Sequence, residues 1–293
     1  MSNIKRTSLP VLDEQLGEPI EVLDHGFVRL VDYMGDDSAI VQAARVSYGA
    51  GTKKTSEDRG LIRYLMRHRH TTPFEMCEIK IHAKMPLFVA RQWVRHRTAN
   101  INEYSARYSE MPEEFYCPEL EQISGQDQKN RQSRGVDLPE VNKDRFAGNT
   151  AQHSVNSYGV YKNAIDDGIA REIARINLPV SNYTEWYWKI DLHNLFHFLS
   201  LRLHSHAQYE IRVYAEALAE IVKQWVPMAW EAFQDYRLNG MFLSGAEIKF
   251  LKTYLDKVAV DEDPLTMKEL EDCGLSKREA REFTSKLDFK LVE

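Results

Sequence analysis

From Glu21 to Tyr33 apolar and polar positions alternate loosely, with β-branched residues among them, which predicts a strand or hairpin. Ala39, Ile40, Ala43, Ala44 and Val46 then fall at helical spacing behind Asp36 or Asp37, either of which suits an N-cap, with Gly49–Gly51 as the stop. A second helix opens at Ser56, backed by Glu57 and Asp58; its apolar stripe is Leu61, Ile62, Leu65 and Met66, and Pro73 ends it. Met76 to Met85 alternates as a strand does, and Pro86 stands at the first position of a helix carrying Phe88, Val89 and Val94. Ser124 to Gly148 is polar and reads as a surface excursion. Thr150 to Ala164 reads as a helix closed by Gly168, and a short helix with Arg171 and Arg175 precedes Pro179. Tyr183 to Ile190 is aromatic-rich and strand-like. From Asp191 to Trp225 the period is helical, with Ile211, Ala215, Leu218, Val222 and Trp225 as a buried face, and Pro227 ends it.

Composition narrows the class. A chain of 293 residues that is 43% hydrophobic and 11% aromatic can bury a substantial core, which excludes global disorder. Lys and Arg number 38 against 44 Asp and Glu, and the net charge of −6 argues against a surface that grips nucleic acid all over. Cys77, Cys117 and Cys273 form no CxxC pair and no disulfide framework, which suits a reducing compartment. The N-terminal segment lacks the apolar stretch of a signal peptide, and no run approaches the roughly 20 apolar residues that span a bilayer. A soluble, cytoplasmic protein is the expectation. Met241 to Glu293 holds 9 basic and 12 acidic residues and reads as helix, Gly274 cap, Ser276 cap, helix. Its outline is that of a helix-turn-helix, but Glu269, Glu271, Asp272, Glu279 and Glu282 would repel phosphates, which favours a packing or oligomer-contact tail.

The average charge conceals a local one. Between Arg59 and Arg107 stand ten Lys or Arg residues and only three acids, a balance of +7, with His68, His70, His82 and His96 in addition. Arg91, Arg95, His96 and Arg97 sit on and beyond an otherwise apolar helix, so some of them are expected near the core. Guanidinium groups there need anionic partners, and too few carboxylates lie nearby in sequence. A phosphate-bearing ligand is the natural partner, since the arginine fork matches phosphate oxygens in pairs. The run from Arg95 to Tyr108 adds amides, a carboxylate and a hydroxyl, with only Ala99, Ile101 and Ala106 plainly apolar.

At this run the chain resembles the flavin-dependent thymidylate synthases, whose signature is Arg-His-Arg-x-x-Ser-x-Asn-x-x-Ser-x-Arg-Tyr. Arg95, His96, Arg97, Asn102, Ser105, Arg107 and Tyr108 match it, while Asn100 stands where the pattern has its first Ser. The likeness extends from about Val22 to Tyr236, through the stretches Arg67–Glu75, Phe88–Trp93 and Ser205–Gln208. It implies methylation of dUMP to dTMP, with methylenetetrahydrofolate as carbon donor, reduced FAD as hydride source and NADPH as reductant, in a homotetramer whose sites combine several subunits.

Carried over position by position, the resemblance assigns FAD contacts to His70, Thr72, Arg95, His96, Arg97 and Glu103. A further FAD stretch maps onto Asp191, Leu192, His193 and His197, where the family pattern is Asn-rich with an Arg. It assigns dUMP contacts to Gln92, Trp93, Val94 and Arg95, to Glu103, Tyr104, Ser105, Ala106 and Arg107, and to Arg175 and Arg202. Arg202 matches the arginine that polarises or ionises the uracil ring. No metal is implied.

Ser105 could attack C6 as a nucleophile, but it lacks a local His–Asp pair, and a hydroxyl that binds the nucleotide phosphate is the favoured role. Two rival classes compete with this reading. A zinc enzyme could use His193, His197, His204 and His206, yet Asn194 and Leu195 replace the glutamate of an HExxH helix. An RNA-binding module could stack bases on Trp93, Tyr104 and Tyr108, against the acidic remainder of the chain. The reading is therefore an α+β enzyme with a central antiparallel or mixed sheet flanked by helices and a long, bundle-like helical part. Residues 1–20 form an arm, 21–240 the flavin-dependent thymidylate synthase domain and 241–293 a helical extension. No nucleic-acid or membrane partner is expected.

Overall fold

The computed structural model describes residues 6–46, 55–128, 134–258, 265–287 and 291–292. The chain divides into two compact units, residues 1–239 and 240–293.

A hairpin of β1 (Pro19–Val22) and β2 (Gly26–Met34) begins the first unit. Its turn admits only glycine at Gly26: a Cβ there would lie 2.0 Å from the Tyr214 hydroxyl and 2.5 Å from the Val22 carbonyl oxygen. With β3 (Glu78–Pro86), β4 (Asn100–Glu103) and β5 (Tyr183–Asp191) the hairpin forms a five-stranded sheet in the order β1-β2-β3-β5-β4, with every pair antiparallel. Register sorts the faces. Arg29, His82, Tyr187 and Asn102 align in one row, while Leu30, Ile81, Trp188 and Ile101 align in the next and point to the other face.

That apolar face is covered by helices. The longer ones are α1 (Asp37–Val46), α2 (Thr55–Arg67), α3 (Leu87–Trp93), α4 (Glu140–Asp166), α5 (Leu192–Arg202), α6 (Tyr209–Trp225) and α7 (Pro227–Phe233). Helix α6 packs on β1, β2, α3, α5 and α7 through Ile211, Tyr214, Ala215, Leu218, Val222 and Trp225, all fully buried. Asp36 caps α1, its carboxylate accepting from the Ser38 and Ala39 amides. Asp37 reaches across the fold instead: its carboxylate accepts from the Met228 and Ala229 amides at 2.7 and 2.9 Å, capping α7. Trp225 closes the same seam with an indole N–H to the Gly35 carbonyl at 2.8 Å.

Several boundaries differ from the sequence reading. Helix α2 ends at Arg67, not at Pro73: Arg69 adopts φ +59° and the His70 amide bonds back to the Leu65 carbonyl, a left-handed C-terminal turn built without glycine. Pro73 lies in the first turn of the short helix Thr72–Glu75, and Pro227 likewise opens α7 rather than merely ending α6. Pro86 closes β3, and α3 starts one residue later. Helix α4 starts at Glu140, so the end of the polar Ser124–Gly148 stretch is helical; its exposed, mostly polar surface hides the period. Asn100–Glu103 is a strand that the polar signature did not announce. The Gly49–Gly51 stop lies outside the described residues, and α2 begins at Thr55, so Ser56 stands inside its first turn rather than opening it as the cap.

The second unit contains α8 (Gly245–Val258), α9 (Met267–Asp272) and α10 (Lys277–Leu287). Thr266 and Glu269 form a capping box on α9, and Gly274 takes φ +91° between α9 and α10. Met267, Leu270 and Ala280 form its small core. No described helix is long and apolar enough to cross a membrane.

Candidate active site

The signature is anchored by Trp93. The last residue of α3 is fully buried, with its ring 5.0 Å from Phe198 and close to edge-on at 5.7 Å to Trp186 and 5.3 Å to Trp188. This aromatic cluster ties α3, β5 and α5 together and fixes the turn that follows. There the Arg95 and His96 amides bond back to the Gln92 and Trp93 carbonyls, which swings His96 inward against Phe198.

Of the cationic group at this turn only His96 is buried; Arg91, Arg95 and Arg97 are exposed. The expectation that some of those guanidinium groups lie near the core is corrected accordingly. The imidazole goes in because it costs far less to bury neutral than a guanidinium does charged. Arg202, at the C-terminal end of α5, is half-buried and donates from Nε to His96 Nε2 at 3.1 Å. The acceptor nitrogen must carry no proton, so His96 is neutral and protonated on Nδ1. Burial, reinforced by the charges of Arg202 and His197, pushes the His96 pKa down to about 4. A second Arg202 contact, from Nη2 to the Gln92 carbonyl at 3.5 Å, sets the guanidinium plane beside the end of α3.

This arrangement has a pH signature. As pH falls from about 6.5 the unfolded chain takes up a proton at His96 before the folded one, so His96 subtracts stability progressively down to about pH 4. Urea unfolding at a series of pH values is expected to show the parent losing stability relative to His96→Gln across that window. A constant difference between the two would refute the neutral assignment.

Arg95, His96, Arg97, His197 and Arg202 line a cleft of about 270 Å³, and Thr98 and Asn194 complete its polar wall. Neither the Arg95 nor the Arg97 guanidinium forms a hydrogen bond or ion pair with any described residue, so the cleft offers two unspent guanidinium forks to an anion. His193, His197 and Asn194 also border an adjoining cleft of about 230 Å³, walled by Phe74 and Phe196 and reached by Arg237. The two clefts share Asn194 and His197, and their lining suits a phosphate-bearing ligand. Thr72 lies on the short helix that supplies Phe74, and His70 is exposed, its ring stacked on Tyr64 at 5.9 Å. Asp191 caps α5 through the Asn194 amide at 2.9 Å.

In the sequence-derived set, Trp93 and Leu192 are fully buried core side chains, so any ligand contact from them is through the main chain. Val94 is exposed. A second group gathers elsewhere. Beyond Glu103, whose carboxylate accepts from Thr184 at 2.8 Å, the chain passes Tyr104 and turns at Ser105. Ala106 is buried with Met111, Tyr161 and Ala174, which brings Ser105 and Arg107 to the neighbourhood of Arg175. Arg107 pairs with Glu172 at 3.4 Å. Ser105 Oγ accepts from the Arg107 amide at 3.3 Å and has no His or Asp partner. None of this group lines the Arg202 cleft.

Sequence reasoning gave no role to Gln208, Asn194 or Thr98. The Ser205–Gln208 stretch was the one available signal, and Gln208 takes a hydrogen bond from the Gln92 amide. His204 and His206 stack on each other at 4.9 Å, and among the described residues no group of three His, Cys, Asp or Glu side chains could hold a metal.

The fold is a helix-covered antiparallel sheet with a cleft lined by arginine and histidine, a lining that suits an anion. Residues 29–228 match the family model described as thymidylate synthase complementing protein. The chain is 54% identical over 283 residues to a flavin-dependent thymidylate synthase of Rickettsia conorii, covering 92% of this chain and 96% of that one. It is 53% identical over 286 residues to the enzyme of that name from Gluconobacter oxydans, covering 97% and 92%. Among solved structures, the UMP/dUMP methylase PolB of Streptomyces cacaoi bound with 5-Br dUMP superposes with a TM-score of 0.68 at 34% identity, over 76% of this chain and all of that one. The chain belongs to the flavin-dependent thymidylate synthase family. The curated relatives align beyond the family model at both ends, so the tail past Gly240, read from sequence as lying outside the likeness, is shared with them.

Proposed function

We propose that this protein methylates dUMP at C5 to give dTMP, taking the carbon from methylenetetrahydrofolate and its reducing power from NADPH through bound FAD. The observation that carries the reading is Arg202 held by a neutral histidine at the mouth of an arginine-lined cleft. Reduced FAD, when bound, supplies the hydride. Arg95, His96, Arg97 and His197, with His193 and Asp191 at the head of α5, would hold it, together with His70, Thr72 and Glu103 and the Leu192 backbone.

Arg202 provides the electrostatics at the pyrimidine. Hydride arriving at C6 pushes electrons towards O4, and a guanidinium whose Nε is already anchored on His96 presents its Nη groups to that developing charge without reorganising. Gln92 to Arg95 border Arg202 and would hold the nucleotide on one side. Glu103, Tyr104, Ser105, Ala106, Arg107 and Arg175 would hold it on the other, with Arg107 and Arg175 as phosphate ligands.

In a single chain these two groups do not line one cleft, which supports a homotetramer in which one subunit's Ser105–Arg175 region completes its neighbour's Arg202 cleft. The apolar residues exposed along α4 and just after it, among them Phe146, Val155, Val160, Ile173 and Ile176, are the kind of surface an assembly would cover. A cytoplasmic setting suits three free cysteines and this substrate set.

The test is anaerobic incubation with NADPH, methylenetetrahydrofolate and dUMP. Flavin reoxidation is expected to track dTMP formation one to one, and reoxidation without dTMP would overturn the reading. Ser105→Ala is expected to retain appreciable turnover with a raised KM for dUMP, since the serine has no base to activate it. Complete loss of turnover in a folded, flavin-loaded Ser105→Ala would restore the nucleophile.

A further inference from the structure

Behind Gln92 lies a chain of hydrogen bonds that ends on a buried charge. Gln92 Nε2 donates to Gln208 Oε1, and Gln208 Nε2 donates in turn to Glu210 Oε2 at 2.8 Å. Glu210 is 2% exposed. Its other oxygen accepts from the Tyr116 hydroxyl at 3.0 Å and from the Arg134 guanidinium. Burial opposes the charge on Glu210, but Arg134 and Gln208 outweigh it and hold the carboxyl below its ordinary range, so it stays ionised.

An ionised carboxylate only accepts, whereas a glutamine amide has one accepting and one donating end. Glu210 therefore forces the NH2 of Gln208 towards itself, which leaves the Gln208 carbonyl facing Gln92. That carbonyl in turn claims the NH2 of Gln92. What remains is Gln92 Oε1, which accepts no hydrogen bond from any described residue, on the residue whose main-chain carbonyl receives Arg202 at 3.5 Å.

We propose that Glu210 is a positioning residue which, acting through Gln208, turns the acceptor end of the Gln92 amide towards the substrate, where it recognises an N–H or O–H of the bound nucleotide. The donor is the imide N3–H of the pyrimidine or the 3′-hydroxyl of the sugar. This rests on the dUMP site described above. It adds the reason that Gln92 presents an oxygen rather than an NH2, and it places the determinant two side chains away in the core.

Glu210→Gln provides the test because it inverts the relay at nearly constant shape. Arg134 and Tyr116 are both donors, so the new carbonyl stays with them and its NH2 faces Gln208. Gln208 must then turn over, Gln92 follows, and an NH2 is offered to a substrate donor. Binding of dUMP, N3-methyl-dUMP and 2′,3′-dideoxyuridine monophosphate to the full-length, FAD-loaded protein is measured by titration calorimetry.

Glu210→Gln is expected to weaken dUMP about tenfold or more. The analogue lacking the recognised donor is expected to bind parent and variant within about twofold, which identifies that donor. Gln208→Met, which cuts the relay without adding a polar clash, should show the same selectivity more weakly. It answers the question if Glu210→Gln does not fold. Unchanged dUMP affinity, or an equal loss for all three nucleotides, overturns the relay. A parent that binds no dUMP overturns the functional reading with it, so the two failures are distinguishable.

Discussion

Arg202→Ala is expected to lower kcat by about 10²–10³-fold, with dUMP still bound and FAD still retained. The guanidinium is the half-buried charge that the fold holds at the end of α5, and removing it deletes the group available to developing negative charge on the pyrimidine. Arg202→Lys should recover little of the loss. An ammonium can keep the positive charge but cannot donate to His96 from one nitrogen while aiming two others at the substrate. The measurement is single-turnover oxidation of reduced flavin by dUMP and methylenetetrahydrofolate. If Arg202→Ala turns over within about threefold of the parent, the electrostatic role assigned to this residue is wrong.

The second large effect concerns stability. Trp93→Ala is expected to cost about 3–5 kcal/mol, the range for deleting a large buried aromatic side chain. The indole is fully buried and is shared by Trp186, Trp188, Phe198 and Tyr214, so the surrounding rings cannot close the space without leaving their own packing. Chemical denaturation of the parent and variant measures the loss. A secondary consequence sets this apart from ordinary core damage. His96 and Arg202 are oriented by the turn that Trp93 anchors, so Trp93→Phe should lose dUMP affinity before it loses its fold.

Much of this was legible in the chain. The strand Glu78–Pro86 follows from alternation and Tyr183–Asp191 from its aromatic content, while the helical period read over Asp191–Trp225 covers α5 and α6 without showing the break between them at 203–208. The site was legible at the signature, which stands in a stretch from Arg59 to Arg107 with ten Lys or Arg residues against three acids, too few for local ion pairing. What stayed hidden has physical causes. Helix α4 carries little apolar contrast, with only Lys143, Ser154 and Tyr161 buried along its length, so its first turns looked like loop. The strand Asn100–Glu103 is an edge strand and mostly exposed, so it shows no alternation. The turn at Arg69 has no glycine to mark it. The partner that receives the inward-turned His96 is Arg202, which lies 106 residues further on, and no local pattern contains that information.

The bond from Asp37 to the head of α7 spans 191 residues, and Trp225 reaches back to Gly35 in the same seam. During synthesis the hairpin and α1 therefore leave the ribosome long before the segment that seals them. At ~5–20 residues per second the wait is roughly 10–40 s, during which the apolar face of β2 and β3 has no α6 or α7 to cover it. A nascent chain with that exposure is a client for a holding chaperone, and slowing its translation near Trp225 should lower its soluble yield more than slowing it past Gly240.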